Sequence, residues 1–277
     1  MTRDSSERRG GEAVVREAAR RSEPDRYLAA LLAPRAARAD LIALAAFLGE
    51  VARIPLTGSE PMIGEIRLQW WRDALVNLLG GTATGSPIAD TVGAAIRSRA
   101  LPEALFMSII DARSRDLDPQ APLSSTVVDT YFNDTEGAAF QLAGHVLGVN
   151  EQPGVPELMS AAGQAYGRVC LLRSLPRLLA NGRVPAPLAG VLRASDDDWV
   201  AATAPMRDSV KRWLKEVRRR ARAAPRAALP AILPLALVEP YLAALERLGP
   251  NLVRQTADIS PLTRVWQLWR ASVLGRI

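Results

Sequence analysis

The sequence predicts an all-α fold, a single-domain helical bundle. Apolar residues recur mostly at spacings of three and four, the period of an amphipathic helix, and the chain is dominated by alanine, leucine and arginine, which favour helices. No stretch alternates between apolar and polar residues as a strand would, and no linker divides the 277 residues. Hydrophobic residues make up 48% of the chain, which excludes disorder as its main state.

Each helix is delimited by its apolar spacing and by turn residues at its ends. Residues 1–23 are polar and carry both charge signs, so we expect a loose or partly helical arm there and the folded domain over 24–277. Pro61 suits a first helical turn, and Asn181-Gly182 indicates a helix end. The predicted helices are Asp25–Leu32, Arg35–Arg53, Pro61–Leu79, Ile88–Arg99, Pro102–Leu117, Thr126–Leu147, Val155–Ala180, Arg207–Ala223 and Pro261–Leu274, with a proline-broken helical segment over 224–248.

Cysteine and histidine usage excludes several kinds of site. The chain has one cysteine, Cys170, so a disulfide scaffold, a CxxC redox motif and a cysteine-based zinc site are excluded. Its one histidine, His145, excludes multi-histidine metal sites and HExxH chemistry, and no nucleophile elbow accompanies it. We expect His145 to be buried and hydrogen-bonded and Cys170 to be a small core residue.

Positive charge is concentrated in one segment. Asp208–Arg226 has eight basic and two acidic residues, whereas the formal net charge of the whole chain is +6. Such a segment suits an anionic partner, such as lipid headgroups, diphosphate or an acidic protein face, or it is the solvated face of a helix. Nucleic acid is disfavoured, because no aromatic platform or known reading motif lies among the basic residues.

The sequence predicts a soluble protein of a reducing, cytoplasmic compartment, at most peripheral at the inner face of the membrane. The first 23 residues contain no apolar core of a signal peptide. The longest apolar stretch, Leu229–Leu245, is interrupted by Pro230, Pro234, Glu239 and Pro240, so it does not predict a membrane span.

Three segments carry a resemblance to a known family. They read DRYLAALLAPRAARADLIALAAF (Asp25–Phe47), YFNDTEGAAFQLAGHVLGV (Tyr131–Val149) and GQAYGRVCLLRSLPRLLANGRV (Gly163–Val184). In order and spacing they resemble the squalene/phytoene synthase family, which joins two prenyl diphosphates head to head. The resemblance covers about Asp25 to Tyr241 and implies a bundle of the isoprenoid (terpenoid) synthase type. In that family, aspartate pairs on two facing helices hold Mg²⁺ and the substrate diphosphate.

The sequence departs from the family at both aspartate motifs. Where the family shows an acidic DDxxD-type run after Ala46-Phe47, and where it shows a DxxxD-like run after Leu171–Arg173, no carboxylate remains. Arginine at a metal position repels Mg²⁺. We therefore predict no catalytic residue, no metal ligand and no cofactor, with Mg²⁺ expected only if the chain is an active enzyme. The degenerate positions are Ala52, Arg53, Leu56, Ser174, Arg177 and Leu178.

Acidic residues elsewhere could in principle replace the missing aspartates. Glu50 lies just before the first motif, and Asp129 with Asn133 have i, i+4 spacing. Asn133-Asp134 suggests the second metal motif of terpene cyclases, but Gly137 and Gln141 stand where that motif needs a hydroxyl and an acid. We do not expect the metal site to be relocated.

Two further segments resemble a non-catalytic branch of the family. SEPMIGEIRLQWWRDAL (Ser59–Leu75) and ISPLTRVWQLWRASVLGRI (Ile259–Ile277) are similar to bacterial relatives of the assembly factors of respiratory NADH dehydrogenase, complex I. The branch implies a pseudoenzyme that binds NADH dehydrogenase subunits and assists their assembly at the membrane. An active prenyltransferase and a lipid carrier with an apolar cavity stay open as alternatives, and the oligomeric state is not indicated.

Polar residues on two helices are candidates for a cavity or a partner surface. Glu65, Gln69, Arg72 and Asp73 share one helical face, where they either line a cavity, bind a partner or form intrahelical ion pairs. Trp70 and Trp71 are about 100° apart on the helix, so we expect one in the core and one at its boundary. The resemblance implies that Arg173 and Arg183 match arginines that hold diphosphate in the family.

The last helix has an apolar stripe bordered by arginines. The stripe comprises Leu262, Val265, Trp266, Trp269 and Val273, and the helix and its end carry Arg264, Arg270 and Arg276 but no acid. This pattern fits a helix on an anionic membrane surface, for which Trp266, Trp269 and Arg270 are the candidate residues. It fits an outer helix of the bundle equally well. For Arg207–Ala223, which also has an apolar stripe, we expect the bundle.

Overall fold

A computed structural model of the protein describes residues 2–56, 60–117, 125–180 and 199–277, with the side chains of 2–9, 125 and 126 left out. The described residues form helices and no strand, which confirms the predicted all-α class. The helices are α1 Thr2–Ser22, α2 Pro24–Leu32, α3 Arg35–Arg53, α4 Pro61–Leu79, α5 Pro87–Arg99, α6 Glu103–Arg115, α7 Ser125–Phe132, α8 Ala138–Val146, α9 Val155–Ala180, α10 Trp199–Ala221, α11 Leu229–Ile232, α12 Val238–Leu248 and α13 Pro261–Leu274.

Two apolar clusters form the interior. One surrounds α9 and includes residues of α10, α12 and α13, and its fully buried side chains include Phe140 and Tyr241. The other surrounds α3 and includes residues of α1, α5 and α6, with Phe47 and Phe106 fully buried. Ala143 of α8 packs against both clusters, so α8 joins them into one core.

Residues 1–23, for which the sequence predicts a loose or partly helical arm, contain the first helix of the structure. Thr2–Ser22 is one helix, and Val15 and Ala19 are 3% and 0% exposed against the second cluster. The few apolar residues of this polar segment lie four apart, so they share one face and are enough to dock the helix.

The apolar stretch near the C-terminus belongs to the core. Arg226–Val253 is long and apolar enough to cross a membrane by length and composition alone, with a mean hydropathy of 1.7 over its most apolar 18-residue window. However, 67% of that window is buried, and the stretch is divided into α11, α12 and three 3₁₀ segments, Arg226–Ala228, Leu233–Leu237 and Gly249–Val253. Its hydrophobicity is therefore explained by packing inside this domain.

The predicted helix Thr126–Leu147 is interrupted where it meets α9. Residues Asn133–Gly137 form a π-helical turn between α7 and α8. Gly163 of α9 lies against this turn so closely that an added Cβ would be 2.2 Å from the backbone nitrogen of Gly137. One turn further, a Cβ at Gly167 would be 2.4 Å from the Phe132 ring. The two helices thus pack backbone against backbone at the centre of the bundle.

Replacing Gly163 by alanine tests this contact. Because the new methyl group would meet backbone rather than a flexible side chain, we expect Gly163→Ala to lower the free energy of unfolding by about 1–3 kcal/mol. Gly10 lies inside α1 with no atom within 4 Å of an added Cβ. Gly10→Ala should therefore raise stability by about 0.5–1 kcal/mol. Urea unfolding followed by circular dichroism measures both, and equal effects would contradict the close packing.

Candidate functional site

The degenerate motif positions lie at the C-terminal ends of α3 and α9. Ala52 and Arg53 are in the last turn of α3, and Leu56 ends the 3₁₀ turn Ile54–Leu56. Arg53 donates to both carboxylate oxygens of Glu50, at 2.8 and 2.9 Å. Glu50, the acid just before the first motif, is therefore already paired with a cation.

The three motif positions at the end of α9 likewise provide no carboxylate for a metal ion. The Ser174 hydroxyl donates to the backbone oxygen of Leu171 at 2.8 Å, within its own helix. Arg177 is exposed, and Leu178 is partly buried. Alanine, leucine, serine and arginine at these six positions supply no carboxylate, so the residues present do not fit a Mg²⁺-diphosphate site.

The residues considered as replacements are engaged in ion pairs or hydrogen bonds. Asp129 pairs with the guanidinium of Arg168, and Asp134 lies 2.7 Å from Arg115. Asn133 accepts a hydrogen bond from Ser160 at 2.7 Å. In the part of the chain that the structure describes, no group of three or more histidine, cysteine or acidic side chains is arranged to hold a metal ion.

A small cavity lies among α2, α3, α8 and α11. Its volume, measured as the space open to the centre of a water-sized sphere, is about 30 Å³. This is room for one or two water molecules. A prenyl chain cannot enter a space of this size without rearrangement of the helices. The cavity is lined by Arg26, Ala29, Ala30, Leu41, Leu44, Ala45, Leu48, Ala139, Phe140, Ala143, Pro230, Ala231 and Pro234.

An arginine–carboxylate cluster lies beside this cavity. Arg26 of α2 contacts Glu23 at 2.8 Å and Glu136 of the π-helical turn at 2.5 Å. Its guanidinium also lies 5.0 Å from the centre of the Tyr166 ring and 5.3 Å from that of Phe140, both within cation–π range. The Arg26 guanidinium is therefore in contact with two carboxylates and two aromatic rings.

A second arginine extends the cluster. The Arg113 guanidinium of α6 lies 3.7 Å from the Glu136 carboxylate and 3.2 Å from the Asp116 carboxylate. It also donates a hydrogen bond to the Tyr131 hydroxyl at 2.6 Å. Burial by itself would raise the pKa of the Glu136 carboxyl, but the charges of Arg26 and Arg113 outweigh it and hold that pKa below its ordinary value. Glu136 thus stays ionised as the counter-charge of two buried arginines.

Asp25 forms a separate buried site next to Arg26. It is 4% exposed and accepts hydrogen bonds from the hydroxyls of Tyr166, at 2.9 Å, and Tyr241, at 2.8 Å. Arg264 of α13 lies 2.8 Å from the same carboxylate. Burial, followed by the charge of Asp25, raises the pKa of both tyrosines, so both hydroxyls remain proton donors.

Arg173 supports the Asp25 site from the side. Its guanidinium lies 3.5 Å from the centre of the Tyr241 ring, donates to the backbone oxygen of Ala257 at 2.8 Å and contacts Asp258 at 3.1 Å. The residue that the family resemblance assigned to diphosphate is thus occupied in holding α9 to the segment before α13. Arg183, the other such residue, and Asn181-Gly182 lie outside the described residues.

The candidate polar residues of α4 form a surface network. Glu65 lies 2.8 Å from Arg72, and Arg72 contacts Asp111 of α6 at 3.0 Å. Ser114 of α6 donates to Glu65, while Gln69 donates to Asp73 at 2.8 Å. The predicted intrahelical contacts are present, but the links to α6 come from residues 39 and 49 positions away, which local spacing could not reveal.

An apolar patch of α4 borders this network. It is defined by four exposed side chains whose positions share one face of the helix. We call it the α4 patch: Met62, Ile63, Ile66 and Trp70, exposed by 73%, 43%, 64% and 43%. Trp71 is 5% exposed, so the prediction of one tryptophan in the core and one at its boundary is confirmed.

The single histidine and cysteine are structural. The His145 ring lies 2.9 Å from the Asn150 amide, as expected for a hydrogen-bonded histidine, and burial lowers its pKa. Cys170 is partly buried, and burial raises the pKa of its thiol to about 12, the charge of Arg173 opposing this. The thiol is therefore protonated at neutral pH and is a poor nucleophile.

Comparison with known proteins defines the class. The family model of squalene/phytoene synthase matches residues 19–270, and the chain belongs to this family. Among solved structures it is similar to a dehydrosqualene synthase, with a TM-score of 0.81, 13% identity and 97% and 98% of the two chains covered. Squalene synthase HpnC from Alicyclobacillus acidocaldarius follows, with a TM-score of 0.72, 22% identity and 88% and 96% covered. These likenesses confirm the isoprenoid synthase fold.

The chain is also similar in sequence to proteins that are named as assembly factors of complex I. The chain is 28% identical over 269 residues to the NADH dehydrogenase (ubiquinone) complex I assembly factor 6 of Mus musculus, covering 92% of this chain and 80% of the relative. The assembly factor 6 of Bos taurus is 29% identical over 270 residues with the same coverage. The resemblance seen in the sequence is thereby confirmed.

Neutralising Glu136 tests the buried cluster. Glu136→Gln would leave Arg26 and Arg113 buried without their shared counter-charge, so we expect the free energy of unfolding to fall by about 3–5 kcal/mol. Glu50→Gln removes an ion pair whose arginine is 46% exposed and should cost less than about 1 kcal/mol. Chemical unfolding of both variants measures the difference, and similar losses would show that the cluster is not electrostatically coupled.

Proposed function

We propose that the protein is a pseudoenzyme of the squalene/phytoene synthase family that assists assembly of the membrane NADH dehydrogenase. The observation that supports the proposal is the chemistry at the ends of α3 and α9, where Arg53, Ser174 and Arg177 provide no carboxylate at positions that the resemblance matches to the aspartate motifs of the family. We place the protein in a bacterial cytoplasm, at the inner face of the membrane, where the partner subunits would be met.

Close packing in the part of the chain that the structure describes supports a binding role over a catalytic one. Gly163 brings α9 against the π-helical turn, and the cavity beside Arg26 admits only about one or two waters. The same observation disfavours a lipid carrier. The relatives named complex I assembly factor 6 match 92% of this chain, so the proposal draws on the whole domain rather than one motif.

The α4 patch is the surface that we assign to the protein partner. Its centre is apolar and contains methionine and tryptophan, residues enriched where proteins bind one another. Its surroundings carry both charge signs, with Glu65 and Asp73 alongside Arg67 and Arg72. A mixed polar rim suits a protein surface with matching charges and does not favour an anionic membrane.

An active prenyltransferase is the second candidate, because the solved structures that this chain resembles include a squalene synthase and a dehydrosqualene synthase. Incubation of the purified protein with farnesyl or geranylgeranyl diphosphate and Mg²⁺ should give no condensed product, since the six motif positions offer no metal ligand. A bacterial squalene synthase assayed in parallel is the positive control. Product formation above the no-protein background would overturn the pseudoenzyme proposal.

Disruption of the α4 patch tests the assembly role. In a strain lacking the gene, we expect membrane NADH oxidation to fall while isoprenoid content is unchanged, and the wild-type gene should restore it. Ile66→Asp places a charge in the centre of the patch and should restore less than about a tenth of the activity, since one buried unpaired charge costs several kcal/mol.

Val76→Asp is the matched control. Val76 is 58% exposed on the same helix but lies outside the patch, so this variant should restore NADH oxidation fully. Affinity purification from solubilised membranes should recover NADH dehydrogenase subunits with the wild type and Val76→Asp, but not with Ile66→Asp. Unchanged NADH oxidation in the deletion strain would contradict the proposed role.

A further inference from the structure

We propose that the outer face of α13 binds the surface of an anionic lipid bilayer. The face consists of apolar side chains that the fold leaves uncovered, together with two exposed arginines, one within the helix and one just after its end. We call it the α13 face: Leu262, Val265, Trp266, Trp269, Val273 and Leu274, exposed by 83%, 50%, 55%, 46%, 63% and 52%, with Arg270 and Arg276.

Helix geometry places these residues in the order that an interfacial helix requires. At about 100° per residue, Leu262, Trp266 and Val273 fall within about 40° of one another and form the centre of the face. Arg270 lies about 40° to one side of Trp266. Arg276 follows the helix end at Gly275 and is exposed. An apolar centre with one arginine at its edge and another just after the helix end lets the centre enter the headgroup region while both arginines contact lipid phosphates.

The opposite face of α13 is fixed to the domain. Leu268 and Ala271 are 1% and 4% exposed in the core, and Arg264 is held by Asp25 and Asp258, each at 2.8 Å. Since the inner face already has its apolar and polar partners, the helix cannot rotate to bury the outer face. The uncovered side chains are thus directed outward by the fold.

Two tryptophans give the α13 face its interfacial character. The rings of Trp266 and Trp269 are stacked, with centroids 5.2 Å apart and planes 28° apart. The pair presents a broad aromatic surface with two indole N–H groups, the combination that favours the membrane–water boundary. Large aromatic side chains at this depth supply most of the apolar area that such a helix buries.

Charge distinguishes this face from the α4 patch. α13 contains no acidic residue, and Arg218 of α10 donates to the backbone oxygen of Ile277 at 3.2 Å, which brings the basic end of α10 against the chain terminus. The nearby acids are engaged, since Glu239 lies 2.7 Å from Arg218 and Glu216 is bonded to Arg219 and Arg220. The rim is therefore cationic, which matches anionic headgroups.

Vesicle sedimentation with purified full-length protein tests the proposal without any NADH dehydrogenase present, so its outcome is separate from that of the assembly role. We expect binding to vesicles of phosphatidylcholine with phosphatidylglycerol, and much weaker binding to phosphatidylcholine alone. Arg270→Gln and Arg276→Gln should each weaken binding to the anionic vesicles about fivefold. Trp266→Ser with Trp269→Ser should weaken binding at least about tenfold.

A double variant with Val14→Ser and Val76→Ser is the matched control, because it removes two exposed apolar side chains, 50% and 58% exposed, from other helices. It should bind as the wild type does, and circular dichroism should show all variants folded. Failure to bind anionic vesicles would overturn the proposal. The proposal would also be overturned if light scattering without lipid showed a concentration-dependent dimer that the tryptophan variant abolishes. A second copy of the chain would then cover the face.

Discussion

The buried carboxylate of Asp25 is the constraint on which the arrangement of the helices depends. It sits in the first turn of α2 and is compensated by Tyr166, Tyr241 and Arg264, which come from α9, α12 and α13. The two tyrosines lie 141 and 216 positions away in the chain. A buried charge without such donors is strongly destabilising, so the four helices must meet at this point. The same contact fixes the inner face of α13 and thereby exposes its outer face.

Next to Asp25, Arg26 belongs to a network of buried charges at the centre of the bundle. In this chain, arginines and carboxylates neutralise one another directly: Arg26 and Arg113 share Glu136. Gly163 brings α9 against the π-helical turn that carries Glu136, so close packing and charge pairing reinforce each other. The shared fold with squalene synthases therefore does not imply a shared site, because function depends on the side chains that line the bundle.

Two exposed apolar surfaces differ in their charged surroundings, and on this difference we propose different partners for them. The α4 patch is bordered by both charge signs, as protein interfaces commonly are. The α13 face contains two arginines and no acid, and the acids near it are paired with arginines, a pattern typical of membrane-surface helices. An assembly protein that works on membrane subunits needs both kinds of contact, since the lipid surface would concentrate it where its partner is inserted.

The sequence alone determined the helical class, most helix bounds and the family, because these depend on local apolar spacing and on short motifs. It also identified the arginine-bordered stripe of α13, since a single helix contains it. It could not show that Arg173 stacks on Tyr241 rather than binding an anion, nor that α1 docks or that a π-helical turn interrupts 126–147. These features depend on contacts between residues distant in the chain, and only tertiary packing decides which partner each buried charge and each close backbone approach finds.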